Sequence, residues 1–158
     1  MKTEDRRTRI RQATASDVPA LLPLVGDYWR FEGIAGFEPR QVATQLERLF
    51  SEPRLGAGWV AWVDGAAVGY LLAVYVFSLE HMGLTAEIDE FFVLPSHHGH
   101  GLGAGLLATA EVEFLRRGCT NVSLQLSRTN DPARAFYHRH GYSERSGYEL
   151  LEKYLQED

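Results

Sequence analysis

The chain has 158 residues, 45% of them hydrophobic and 23% charged, and a formal net charge of −5. That length suits one domain, 1–158, around a single core, and the surplus of acids argues against nucleic acid, which is bound through clustered Lys and Arg. Apolar runs stay shorter than the ~18–20 residues of a membrane span, M-K-T-E-D-R-R does not read as a secretory signal, and Cys119 has no second cysteine to pair with, so a cytoplasmic protein without a membrane partner is expected.

In chain order, residues 8–13 predict a first strand. Ser16 or Asp17 can cap a helix reaching about residue 31, with Pro19 in its first turn and an irregularity at Pro23. A second helix follows over residues 39–50, placing Val42, Leu46 and Leu49 on one face. Strands at 59–63 and 66–77 flank Asp64-Gly65, a strong hairpin signal. Residues 78–85 read as a loop and 86–94 as the next strand. A helix then carries Leu102, Leu106, Leu107, Ala110, Phe114 and Leu115 at helical spacing until Gly118 ends it. Cys119 reads as a small core filler before a strand at 122–126. Residues 131–140 predict a helix capped by Asn130 or Asp131, with Pro132 in its first turn, and 142–154 a final antiparallel pair around Gly147.

The most informative segment is V-L-P-S-H-H-G-H-G-L-G-A-G-L-L, residues 93–107, in which an apolar strand runs out at Pro95 and a helix follows four glycines. Glycines let backbone N–H groups approach phosphates without an intervening Cβ, and a helix N-terminus adds about half a positive charge. A Walker loop requires Gly-Lys-Ser/Thr, whereas Gly103 is followed by Ala104 and Gly105; a dinucleotide fingerprint needs its first glycine tight against the strand. Neither fits. The segment resembles the acetyl-CoA loop of the GNAT acyltransferase superfamily, Arg/Gln-x-x-Gly-x-Gly/Ala. His98, Gly101 and Gly103 stand on those positions, and His98 replaces the usual Arg or Gln. A second block, N-D-P-A-R-A-F-Y-H-R-H-G-Y over residues 130–142, is similar to the family's asparagine, short helix, Phe-Tyr and Gly-Tyr sequence, and R-Q-A-T-A-S-D-V is a common family opening.

The resemblance implies an α/β (α+β) GNAT fold: a mixed central sheet of about seven strands, helices on both faces, splayed between the fourth and fifth strands. It implies an acetyl-CoA-dependent N-acetyltransferase, a homodimer, and direct transfer to a primary amine in a ternary complex. Acetyl-CoA would meet Phe92, Val93, His98, Gly99, His100, Gly101, Leu102, Gly103 and Ala104, then Asn130, Ala133, Phe136 and Tyr137. Backbone N–H groups from Gly99 to Ala104 would hold the pyrophosphate, and the Val93 N–H would polarise the thioester. Tyr137 matches the family's general acid; without that match it reads as a core aromatic.

Glu87, Asp89 and Glu90 are the candidate bases, Asp89 and Glu87 ahead of Glu90, the alternative being solvated strand residues. Strand alternation places Glu87, Asp89, Phe91 and Val93 on one face and Ile88, Glu90 and Phe92 on the other unless a bulge intervenes. Y-W-R-F-E with I-D-E-F-F-V resembles the diamine and polyamine branch, where Glu32 would help to bind a small cationic amine. Trp29, Phe31, Tyr75 and Phe77 would line the acceptor pocket, or else serve as core or dimer contacts. The family alternatives are a protein or peptide amino-group acetyltransferase and a non-catalytic acyl-CoA sensor. His97, His98, His100, His138 and His140 lack ligand spacing, the pair at 138 and 140 not sharing a helix face, so no metal is expected.

Overall fold

A computed structural model describes residues 7–155 and divides the chain into two compact units, Met1–Gln125 and Leu126–Asp158. In the first unit, five strands line up in the order β1 (Thr8–Gln12), β2 (Gly56–Val63), β3 (Ala66–Ser78), β4 (Gly83–Val93) and β5 (Val122–Leu124). The β1 to β4 pairings are antiparallel and the β4–β5 pairing is parallel, giving a mixed open sheet. Asp64 and Gly65 both take positive φ, 50° and 82°, which makes the tight β2–β3 turn that their sequence announces.

Helix α1 (Val18–Glu32) follows a turn of 3-10 helix at Ala15–Asp17 and continues through Pro23, ending where Gly33 adopts a left-handed φ of 69°. Helix α2 (Pro39–Ser51) lays Val42, Leu46 and Leu49 beside Leu21, Leu24 and Val25 of α1, over Val60, Tyr70, Leu72 and Phe92 of the sheet. Helix α3 (Leu102–Arg116) covers the other face: Phe114 meets the rings of Trp59 and Tyr75 edge-on at 5.5 Å and 6.2 Å. The neighbours Trp59 and Val60 thus feed opposite cores, as a two-residue period dictates. Gly118 (φ 83°) and the bond from the Cys119 N–H to the Phe114 carbonyl (2.9 Å) close α3, and Cys119 is buried there.

At the Asp17 corner, the Arg11 guanidinium grips both carboxylate oxygens at 2.8 and 2.9 Å, and the Thr14 N–H adds a bond of 2.8 Å. Burial raises the pKa of Asp17, but the Arg11 and Thr14 hydrogen bonds outweigh it and the net shift is downward.

The second unit contains α4 (Asp131–Arg139), whose Asn130 cap accepts from the Ala133 N–H at 3.2 Å. Glu144 accepts from Arg134 (3.0 Å) and His138 (2.6 Å). Its own backbone N–H and these two donors hold its pKa at about 2.

Among the described residues the sheet has five strands rather than about seven. The expected pair over residues 142–154 is the difference: no strand forms there among the described residues, and Tyr148, Leu150, Leu151 and Tyr154 are exposed. Gly147 does take the positive φ of a turn, 93°. A lone two-stranded hairpin has too little to bury to hold itself together, so turn chemistry alone does not create the pair. The expected loop at 78–85 shrinks to the turn at 79–82, with Gly83, Leu84 and Thr85 pairing with Ser78, Phe77 and Val76.

Candidate active site

Three features converge at the end of β4. The first is a bulge. Glu90 pairs with Leu72 and Ile88 with Ala73, so Asp89 is an extra residue with no partner in the β3 ladder. The frame shifts accordingly. Glu87, opposite Val74, now shares the α1 face with Glu90 and Phe92, while Ile88 shares the α3 face with Phe91 and Val93. Simple alternation, which joined Glu87 to Phe91 and Val93, is corrected by that one residue.

The second feature is the edge left open beside β4. Pairing with β5 stops at Ile88 and Leu124, while β4 runs on to Val93. The Leu94 N–H donates to the Val68 carbonyl (2.9 Å), so Val93 and Gly69 form a non-hydrogen-bonded pair of the antiparallel ladder. Val93 therefore turns its own N–H and C=O away from β3, toward the side where β5 has ended. Phe92 has the opposite register: its backbone faces Tyr70, and its side chain is 9% exposed in the core beneath Tyr28 and Phe31.

The third feature is the glycine turn. A 3-10 turn, Pro95–His97, leads through Gly99 (φ 79°) to Gly101 (φ 75°), which is the N-cap of α3. The first bond inside α3 is from the Gly105 N–H to the Gly101 carbonyl (2.9 Å). The N–H groups of Leu102, Gly103 and Ala104 precede it and are the ones a helix leaves over for an anion. No atom lies within 4 Å of where a Cβ would stand on Gly99 or Gly101, so both glycines are required by φ and leave open space. That cradle suits a phosphorylated ligand. His98 turns back on the strand, and its Nε2–H donates to the Val93 carbonyl at 2.7 Å. A carbonyl only accepts, so the bond fixes a proton on Nε2, and Nδ1 can donate to a phosphate only when the ring carries a second proton. His100 is exposed.

The carboxylates are not alike. Glu90 is half-buried; its Oε1 accepts from the Tyr70 hydroxyl (2.8 Å) and its Oε2 from the Trp29 indole N–H (3.0 Å). Burial pushes its pKa up, and those two bonds pull against it. Asp89 is open to solvent yet densely surrounded, and that crowding raises its pKa with no hydrogen bond offsetting it. Glu87 is half-buried and accepts at 3.5 Å from Gln125.

Of the expected acceptor-pocket residues, Trp29 lies at this cluster and Glu32 is exposed at the end of α1. Tyr75 and Phe77 are not brought to it. Tyr75 is on the α3 face against Phe114, with Arg117 4.9 Å above its ring, and Phe77 is 74% exposed further along that face. Tyr70 went unnoticed in the sequence, although a tyrosine inside the apolar run V-G-Y-L-L must find a partner for its hydroxyl. In the second unit, Tyr137 packs edge-on to Phe136 (5.4 Å) and beside Tyr142 (5.5 Å), and Phe136 lies 4.5 Å from the His140 ring. Among the described residues no group of three or more His, Cys, Asp or Glu is placed to hold a metal ion, and no helix is long and apolar enough to cross a membrane.

Residues 20–142 match the Acetyltransferase (GNAT) family. The chain belongs to that family. An uncharacterised N-acetyltransferase of Archaeoglobus fulgidus is 35% identical over 130 residues, covering 81% of this chain and 88% of the relative. The aminoalkylphosphonate N-acetyltransferase of Salmonella typhimurium is 35% identical over 81 residues, covering 51% of this chain and 53% of that protein. Among solved structures, an integron cassette protein from a salt-marsh metagenome superimposes with a TM-score of 0.82 at 29% identity, over 94% of this chain and 91% of that one. The aminoglycoside N-acetyltransferase AAC(6')-Iy in complex with CoA gives 0.81 at 19% identity, over 99% of both chains, a likeness of fold. This GNAT chain is an acyltransferase.

Proposed function

We propose that this chain transfers the acetyl group of acetyl-CoA directly to a small, positively charged primary amine, within one catalytic domain spanning residues 1–158. The observation that carries the reading is the run from the bulged end of β4 to the glycine-capped N-terminus of α3. It sets a raised-pKa carboxylate, an outward-facing N–H and a row of anion-seeking N–H groups along one stretch of chain.

The pyrophosphate of acetyl-CoA is held by the N–H groups of Leu102, Gly103 and Ala104. The acceptor arrives as an ammonium and gives its proton to Asp89, directly or through water. A raised pKa suits that exchange, provided the pH is high enough to keep Asp89 ionised. The amine nitrogen attacks the thioester carbon while the carbonyl oxygen gathers charge against the Val93 N–H. The C–S bond then breaks, the thiolate takes a proton from Tyr137, which is given this role on its family motif, and the second proton that the nitrogen sheds as the amide forms restores the phenol. Glu87, Glu90 and Glu32 with the aromatic rings of Tyr28, Trp29 and Phe31 favour an alkylammonium acceptor.

The test is release of CoA thiol from acetyl-CoA across a panel of diamines, amino acids, aminoglycosides, aminoalkylphosphonates and peptides. A cationic small amine should turn over fastest, and preference for a neutral or anionic acceptor would overturn that assignment. With the best acceptor, Asp89→Asn and Tyr137→Phe should each lower turnover by ~10²–10⁴-fold while acetyl-CoA binding survives. Thiol release from none of the acceptors, alongside tight acetyl-CoA binding, would make the chain a sensor.

A further inference from the structure

The half-buried Glu90 behind Asp89 contributes charge toward the acceptor but takes no part in the bond-making steps above, and Trp29 and Tyr70 spend their polar hydrogens on it. We infer that Tyr70 and Trp29 are positioning residues of the transfer. By holding both oxygens of Glu90 beneath α1 they lock the bulge that presents Asp89, and they make Asp89 rather than Glu90 the carboxylate that takes the acceptor's proton. The inference rests on the reading of Asp89 as base.

The geometry is specific. Tyr70 is fully buried in the middle of β3, and its hydroxyl meets Oε1 of Glu90 at 2.8 Å. Burial, and then the Glu90 charge, push the phenol pKa far above its ordinary value, so Tyr70 stays a donor at every working pH. Trp29 reaches Oε2 from α1 at 3.0 Å, sixty-one residues away in sequence, and an indole N–H can only donate. Each oxygen of Glu90 is thus held by a donor, the indole N–H of Trp29 on one side and the protonated hydroxyl of Tyr70 on the other. Hydrogen bonds to a carboxylate favour its charged form. Asp89, the next residue, is raised by burial with no such bond, and its charge in turn raises Glu90.

The groups facing the pair are few. Tyr28 on α1 stands edge-on to Tyr70 at 6.3 Å; Glu87 on β4 lies on the same sheet face and is engaged by Gln125; on α1, Arg30 is paired with Asp27. Two like charges side by side ionise one after the other; here the Asp89 charge raises Glu90, and the two donors pull Glu90 back down. Glu90 has both oxygens engaged, whereas Asp89, open to solvent, keeps its oxygens for the acceptor's proton.

The experiment is a carbon-13 NMR titration of the side-chain carboxyls of Asp89 and Glu90, with wild type, Tyr70→Phe and Trp29→Phe. Tyr70→Phe removes only a hydroxyl, and Trp29→Phe serves as a second variant should the buried site not tolerate the first. In either variant Glu90 should move up in pH, and kcat with the best amine of the panel should fall while the KM for acetyl-CoA stays put. A Glu90 titration or a kcat that stays put in both folded variants would overturn the inference. Failure of the underlying reading looks different: Asp89→Asn would keep wild-type turnover whatever the titrations show.

Discussion

Substitution of Gly101 separates backbone strain from ligand binding at one position. Gly101 holds φ 75° and ψ 10° at the N-cap of α3, with open space where a Cβ would stand. An alanine there meets no clash but adopts a left-handed conformation costing ~1–2 kcal/mol. Restricting the unfolded chain returns about 0.4–1 kcal/mol. Gly101→Ala should therefore lose about 1 kcal/mol without ligand, a fall of roughly 2–4 °C in Tm for a chain of this size. Valine at positive φ is a far worse outlier, so the turn must rearrange and swing the Leu102, Gly103 and Ala104 N–H groups out of line. Asparagine tolerates the left-handed region and should keep the turn. Scanning calorimetry with and without acetyl-CoA reads both effects. A hundredfold excess over Kd adds about 2.7 kcal/mol, or roughly 5–11 °C, to wild type and Gly101→Asn. Gly101→Val should show almost none of it. An acetyl-CoA shift in Gly101→Val equal to that of wild type would refute the phosphate cradle, and an unchanged ligand-free midpoint in Gly101→Ala would refute the strain.

Two further predictions concern the scaffold. Asp17 has a folded-state pKa held below its unfolded value, so its contribution is present above about pH 4 and disappears as pH falls through the folded pKa. Asp17→Asn should cost about 2 kcal/mol in urea unfolding at pH 7, with half-exposed Arg11 losing its partner, and the gap to wild type should narrow steadily below pH 4; a constant gap would show the charge to be irrelevant. Gly56→Ala places a Cβ 2.0 Å from the Ala73 carbonyl oxygen, which is backbone and cannot swing aside. Gly58→Ala presses instead on the Phe50 ring at 2.5 Å, so urea midpoints should rank Gly56→Ala well below Gly58→Ala.

What the sequence made legible was local. Asp64-Gly65, Gly118 and Asn130 act through the bonds of their own few neighbours, and each ended or began its element where the residue type indicates. The glycine turn belongs to the same class, because Gly99 and Gly101 are required by their own φ angles. The bulge at Asp89 is of another kind. Whether a strand carries an extra residue is decided by its partner, here by Leu72 and Ala73, and A-E-I-D-E-F-F-V alone is compatible with either frame. The carboxylate network likewise joins residues twenty and sixty-one apart. Tyr75 followed the same rule in reverse: its aromatic character was plain, but the face it occupies depends on β3 pairing and on Phe114 of α3. His98 was read from a motif position as a residue that acetyl-CoA would meet; the bond from its Nε2–H to a carbonyl five residues back could not be read there.

The unpaired residue in β4 separates what the strand does for the sheet from what it displays. Ile88 opposes Ala73 and Glu90 opposes Leu72, and those two partners on β3 are themselves consecutive. Cut Asp89 out, and the two halves of β4 meet in a regular ladder with every cross-strand neighbour unchanged. A substitution there acts on a side chain; a deletion acts on a spacing the sheet does not need. Asp89 is a position where the chain can vary its chemistry, or lose it, without renegotiating the core on either side.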